Sequence, residues 1–189
     1  MRLVLMGPPG AGKGTQAAVI STALGVPHIS TGDIFRHNVA NGTALGIEAK
    51  RYMDAGEYVP DGVTNAMVRD RLSQDDCRPG FLLDGYPRTV EQVGELSAML
   101  RSAGDSLTQV VELTVDVDEV VGRLVRRAAE QGRSDDTEDV VRRRLEVYTQ
   151  QTAPLTEMYD QQGLLVRVDG MGSIPEVSAR ILSVLGIDA

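Results

Sequence analysis

Apolar residues along this 189-residue chain come in two spacings. Short, nearly uninterrupted apolar runs stand at Arg2–Met6, His28–Ile29 with its flanks, Gly80–Leu83, Gln109–Leu113 and Leu164–Val168. Such runs suit strands buried on both faces. Between them lie longer stretches with helical spacing: Lys13–Leu24, Gly32–Asn41, Ala44–Ala55, Asp61–Ser73, Val90–Ser102, Asp116–Glu130, Thr137–Tyr159 and Ile174–Leu185. Each strand ends near a Gly, Asp, Ser or Thr that starts a turn or caps a helix. Asp116 and Glu119 have capping-box spacing. The alternation predicts an α/β fold, a mostly parallel five-stranded sheet with helices on both faces. Ligands then bind at the carboxyl ends of the strands.

Two regions break the alternation. Residues 30–60 hold two helical stretches with no strand between them, and residues 128–136 form a short polar loop between helices. Both read as excursions from the core, and excursions beside a ligand site are candidate lids.

The strongest chemical signal follows the first strand. Gly7-Pro8-Pro9-Gly10-Ala11-Gly12-Lys13-Gly14-Thr15 places four glycines in eight residues before a helix. Glycines let backbone N–H groups converge on an anion, and the helix adds its positive N-terminal end. Lys13 supplies a mobile charge for phosphoryl oxygens, and Thr15 a hydroxyl near the expected Mg²⁺. The general phosphate-loop pattern wants Ser or Thr directly after the lysine. Here Gly14 stands there. The plainer alternative is a glycine-rich turn with an incidental lysine.

Composition narrows the classes. The formal net charge is −8, which suits solubility and argues against a nucleic-acid footprint. Clustered arginines in an acidic chain suggest an anionic ligand. Cys77 is the single cysteine, so no disulfide or cysteine-rich zinc site forms within one chain, and a reducing cytosol is expected. No apolar run reaches membrane-spanning length, and the strand starting at Arg2 leaves no room for a signal peptide.

Phe81-Leu82-Leu83-Asp84 is an apolar strand ending in a carboxylate, placed to hold Mg²⁺ through water. Gly85-Tyr86-Pro87-Arg88-Thr89 follows. Gly85 permits close approach, Pro87 stiffens the turn, and Arg88 is presented for bidentate phosphate recognition. Ser30 or Thr31 caps the helix carrying Arg36, and Asp33 stands near the Mg²⁺ shell. Arginines gather at positions 123, 126, 127, 133, 142, 143 and 144. Spacing alone does not separate working arginines from a solvated face.

These residues resemble the adenylate kinases, nucleoside monophosphate kinases that interconvert ATP plus AMP with two ADP. The motifs are GPPGAGKGT at 7–15, STGDIFR at 30–36, MDAGEYVPD at 53–61, FLLDGYPRT at 81–89, GRSDDTEDVVRRRLEVY at 132–148, TAPL at 152–155 and VDG at 168–170. In that family Gly followed by Thr after the lysine is the usual form. The resemblance spans residues 1 to about 185. It implies one P-loop kinase domain with core 1–29, 60–125 and 137–189, a nucleoside-monophosphate-binding flap at 30–59 and a short lid at 126–136. Long-lid relatives often carry zinc there; the short form implies none.

The resemblance also implies residue roles. Gly10, Ala11, Gly12, Lys13, Gly14 and Thr15 would bind the ATP phosphates. Arg123 would pack on the ATP adenine, Arg127 would meet its phosphates, and the Gly172 carbonyl would touch its base. Thr31, Arg36, Glu57, Tyr58, Val59, Gly85, Tyr86, Pro87, Arg88 and Gln92 would bind AMP, with Arg36 and Arg88 on its phosphate and Gln92 on the adenine edge. Arg133 and Arg144 would clamp the phosphates during transfer, and Lys13, Arg88, Arg123, Arg133 and Arg144 form the catalytic set. Mg²⁺ would stand near Thr15 and, through water, Asp33 and Asp84. Arg142 and Arg143 match no functional position and are left solvated. The implied activity is Mg-dependent, reversible phosphoryl transfer in adenine nucleotide homeostasis and AMP salvage. The implied setting is a cytoplasmic monomer with nucleotide partners, without nucleic acid or membrane. Two rivals stand beside this: a kinase for UMP or CMP, and a phosphate-loop switch or assembly module without transfer activity.

Overall fold

The computed structural model describes residues 1–116, 120–124 and 137–187. Five strands form one parallel sheet: β1 (Arg2–Met6), β2 (His28–Ser30), β3 (Phe81–Asp84), β4 (Gln109–Thr114) and β5 (Leu165–Asp169). Their order is β2-β3-β1-β4-β5. Strand β1 is central because its side chains are apolar on both faces. Leu3, Val4, Leu5 and Met6 are at most 3% exposed. Leu3 and Leu5 face helices α1 (Lys13–Leu24) and α8 (Ile174–Val184), packing with Ile20, Leu82 and Ile181. Val4 and Met6 face α4 (Asp61–Leu72), α5 (Val90–Ser102) and α7 (Pro154–Gln161), packing with Val68, Leu96 and Tyr159. Burying each such side chain contributes about 1.5–3 kcal/mol.

This order puts the strand-order reversal at β1, flanked by β3 and β4. Register then aligns the carboxyl ends: Leu5 pairs with Asp84, and Ser30 with Asp84. The crevice at that end collects the residues after three strands.

Residues 31–54 leave the sheet as α2 (Thr31–Ala40) and α3 (Ala44–Asp54). Ser30, not Thr31, is the N-cap of α2; its Oγ accepts the Asp33 N–H at 3.3 Å. The two helices touch through Gly46, where a Cβ would stand 2.1 Å from the Asn38 carbonyl oxygen. Phe35, Ala49 and Val59 make a small core of their own.

The stretch expected as one helix at Thr137–Tyr159 is divided. Helix α6 (Glu138–Val147) runs into a π turn at Tyr148–Thr152, and α7 restarts at Pro154. Proline has no N–H for the turn before it and its ring crowds that turn, so the backbone widens there. Of the stretch expected at Asp116–Glu130, residues 120–124 are helical; Glu119 and 125–130 lie outside the described residues. A capping box is formed at the start of α8, where Glu176 accepts the Ser173 N–H at 2.8 Å. Among the described residues no helix is long and apolar enough to cross a membrane.

Candidate active site

The loop after β1 turns back through Gly7, Gly10 and Gly12, with φ of 141°, 85° and 85°. Left-handed φ strains any residue with a Cβ. At Gly10 space forbids one too, since it would stand 2.9 Å from both Val120 Cγ1 and Leu124 Cγ. Gly12 is the N-cap of α1, and the first turn carries neither a side-chain cap nor an acidic residue. Its N–H groups and positive helix end are therefore left for an anion. Lys13 Nζ donates to the Gly7 and Pro8 carbonyls at 2.7 and 3.0 Å. Ala11 differs from its neighbours: its methyl belongs to the core at 2% exposure, and its part in the cradle is backbone only.

A cleft of about 700 Å³ opens in front of this loop. Lys13, Arg36, Arg88, Arg123 and Arg144 all line it, together with Thr15 and Asp84. Five cations from five separate segments thus share one cavity in a net-acidic protein. Asp84 is 8% exposed. Burial, the largest influence, opposes its ionisation, but His28, Lys13 and Arg88 together hold its carboxyl below the usual value. His28 Nε2 lies 3.6 Å from Asp84 Oδ2, beyond direct hydrogen-bond reach, and has no hydrogen-bond partner among the described residues. The imidazole therefore acts on the carboxylate across a gap. Gly14 stands beside this carboxylate, where a Cβ would lie 3.8 Å from Asp84 Oδ2, an ordinary van der Waals contact. Asp33 lines the same cleft, but its carboxylate is engaged by Arg36.

A smaller pocket adjoins the cleft under α2 and α3, lined by Thr31, Arg36, Glu57, Val59, Arg88 and Gln92 among others. Gly85 organises it. Its carbonyl accepts from Thr31 Oγ1 at 2.9 Å and from Arg88 Nε at 2.7 Å. A Cβ there would stand 2.7 Å from an Arg88 guanidinium nitrogen, and φ is +79°. Gln92 is 1% exposed, and its amide is locked in one orientation: Oε1 accepts the Arg88 N–H at 2.7 Å and Nε2 donates to Asp61 at 2.6 Å. Asp61 also accepts from Thr89 Oγ1 at 2.7 Å. Sequence reading saw Asp61 only as a helix start; its second role depends on a partner 31 residues away.

Several expectations shift here. The Tyr86 side chain is core, 1% exposed, its hydroxyl donating to Asn65 Oδ1 at 2.8 Å. It is joined to Pro87 by a cis peptide. Glu57 lines the pocket, yet its carboxylate accepts from Arg143 Nε at 2.7 Å. Arg143, expected to be solvated, therefore bonds to the segment that follows α3. Arg142 fits the expectation: it is 64% exposed and, among the described residues, is bonded only to Glu138 of its own helix, at 2.8 Å. Arg142→Ala is expected to leave kcat and KM within about twofold, as steady-state kinetics will show.

Arg123 approaches Met171 Sδ at 3.8 Å. Gly172 is next in chain, with φ +115°, and does not line the cleft itself. Val59 is 6% exposed and packs into the small flap core. Arg127, Arg133 and the lid expected at 126–136 lie outside the described residues. Among the described residues, no group of three or more His, Cys, Asp or Glu side chains is arranged to hold a metal.

Comparison with known proteins gives one answer. A family model described as adenylate kinase matches residues 5–164. An adenylate kinase of Nocardioides sp. is 63% identical over 187 residues, covering 99% of this chain and 98% of that one. One from Kocuria rhizophila is 62% identical over 184 residues, covering 97% and 98%. One from Thermobifida fusca is 55% identical over 185 residues, covering 98% of each.

Proposed function

Since this chain belongs to the adenylate kinase family and is a phosphotransferase, we propose that its cleft holds two nucleotides end to end. ATP lies with its phosphates on residues 10–15 and AMP lies in the pocket under α2 and α3. The reaction is reversible transfer of the ATP γ-phosphate to AMP, giving two ADP. An AMP phosphate oxygen attacks the γ-phosphorus while the bond to the β–γ bridging oxygen breaks, and the electron pair leaves with ADP. The attacking oxygen is already ionised, so no side chain need remove a proton. Rate comes from alignment and from fixed positive charge around the transferring group.

Each residue then has a physical task. The glycine loop and the α1 N-terminus seat the ATP phosphates, and Lys13 follows the group in flight. Arg36 and Arg88 hold the AMP phosphate, Arg144 reaches between the two nucleotides, and Arg123 packs on the ATP adenine beside Met171 and Gly172. Thr31 and the locked amide of Gln92 read the AMP side. Arg127 and Arg133 complete the clamp. We assign residues 30–59 as the flap and 126–136 as the lid around the core, and both exclude water, the competing nucleophile. The oxygen donors available, the ionised Asp84 and the Thr15 hydroxyl with Asp33 at the rim, suit a hard cation. A Mg²⁺ bound there would neutralise charge on the ATP phosphates, with phosphate oxygens and water completing its shell. We place the enzyme in the cytoplasm as a monomer, in keeping with its single buried cysteine.

The observation that carries this reading is the convergence of Lys13, Arg36, Arg88, Arg123 and Arg144 on one cleft. The test is ATP with Mg²⁺ and, in turn, AMP, CMP, UMP or GMP, followed for ADP. AMP is expected to be the best acceptor, and ATP alone to be consumed hardly at all. A pyrimidine monophosphate outrunning AMP would reassign the acceptor. ATP consumption independent of any monophosphate would make the protein a hydrolase or switch.

A further inference from the structure

The flap meets the core at two points where Glu57 and Tyr58 bond to Arg143 and Thr152, residues to which the nucleotide reading gives no task. At the first, Arg143 Nε donates to Glu57 Oε1 at 2.7 Å, and a second guanidinium nitrogen reaches Glu146 at 3.1 Å. The backbone behind Glu57 packs directly on α6: a Cβ at Gly56 would stand 2.9 Å from the Val140 carbonyl oxygen and 3.1 Å from Arg143 Cβ. At the second point, the Tyr58 hydroxyl and Thr152 Oγ1 are 2.8 Å apart. Thr152 is 4% exposed, and its Oγ1 donates to the Arg88 carbonyl at 2.9 Å. A threonine hydroxyl has one proton. With that proton on Arg88 O, Tyr58 must be the donor to Thr152. The chain runs Tyr58 O–H to Thr152 Oγ1 to Arg88 O, and the Tyr58 ring lies 4.9 Å from the Arg88 guanidinium carbon. The π turn supplies the bend that sets Thr152 in this place.

We propose that Glu57–Arg143 and Tyr58–Thr152 form a two-point latch that docks the flap on the α6–π-turn segment and positions Arg88 and Arg144 for the AMP phosphate. Arg143 and Thr152 are thus positioning residues; neither touches substrate. The ion pair is half exposed and weak by itself. Its second effect is electrostatic. Glu57 lines the smaller pocket, and Arg143 cancels a carboxylate that would otherwise repel an incoming phosphate dianion. Arg144, the next residue, lines both the cleft and this pocket, so the docking of α6 sets its reach.

This proposal rests on AMP occupying the smaller pocket, and the experiment separates the two. In steady-state kinetics, Arg143→Gln and Thr152→Val are each expected to raise KM for AMP about tenfold and to leave KM for ATP within about twofold. Thr152→Ser, which keeps the hydroxyl, is expected to restore KM for AMP. Glu57→Gln with Arg143→Gln is expected to be no worse than Arg143→Gln alone, because the repelling charge goes with its partner. Amide exchange of residues 56–59 is expected to quicken in Arg143→Gln whatever the acceptor. Unchanged KM for AMP with unchanged exchange would overturn the latch. So would both KM values rising together, or failure of Thr152→Ser to rescue Thr152→Val. If wild-type protein formed ADP with no dependence on AMP, the acceptor assignment would fall, while quickened exchange would still support the latch and unchanged exchange would overturn it.

Discussion

Lys13→Met lowers kcat by at least about a hundredfold, the scale for losing one fixed charge or donor at a developing negative charge, and leaves Tm within a few degrees. The ammonium is the one mobile cation of the phosphate loop. It donates to the Gly7 and Pro8 carbonyls, at 2.7 and 3.0 Å, in a part-buried position that water can reach. Methionine matches its length and leaves those carbonyls to solvent, so the fold loses little. A second effect is read by pH. Burial opposes ionisation of Asp84, and His28, Lys13 and Arg88 more than offset it. A carboxyl depressed in the folded state contributes stability above its unfolded value and loses it as pH falls through the folded value. Removing Lys13 moves that loss to higher pH, so the acid limb of the stability curve begins earlier in the variant. Single-turnover kinetics and thermal melts across the acid range check both statements. Turnover within tenfold of wild type would remove Lys13 from the reaction.

Arg88→Ala is expected to lower kcat/KM for AMP by about a hundredfold or more, since a charged hydrogen-bonding partner of a phosphate is lost, with KM for ATP little changed. Arg88→Lys is expected to recover little. The guanidinium is held by Nε donation to the Gly85 carbonyl at 2.7 Å and by the Tyr58 ring beneath it. An ammonium has neither the fixed fork nor the flat face that these two contacts orient. Full recovery by lysine would show that charge alone matters and that the Gly85 and Tyr58 contacts are incidental. Equal damage to the ATP and AMP constants would place Arg88 on the transferring group rather than on the acceptor.

Much of the molecule was legible in residue order. All five strands lie within one residue of the stretches expected for them, because strands buried on both faces need unbroken apolar runs. The phosphate loop was equally plain, since left-handed φ at Gly10 and Gly12 needs glycine. Arg36, Arg88 and Arg144 converge as the resemblance implied. What residue order hid has one source. Arg143 was left to solvent, although it bonds to Glu57 across 86 residues. Tyr86 was read as part of the segment Gly85 to Arg88 given to AMP, and residue order did not show that its ring fills the core and reaches Asn65, 21 residues away. The continuous helix expected at Thr137–Tyr159 became two, because the cost of Pro154 is met by widening the turn before it.

By itself, the order of residues settled which segments are strands, where the chain must turn on glycine, and that a glycine-rich loop leads from the first strand into a helix N-terminus. These are short-range demands: φ limits, side-chain period and local charge act within a few residues. Which cation pairs with which carboxylate, which hydroxyl donates, and which side of a helix meets the flap were decided only when segments far apart in the chain packed together. Helical spacing fixes the direction a side chain takes from its own axis, but the partner waiting there is chosen by the tertiary fold.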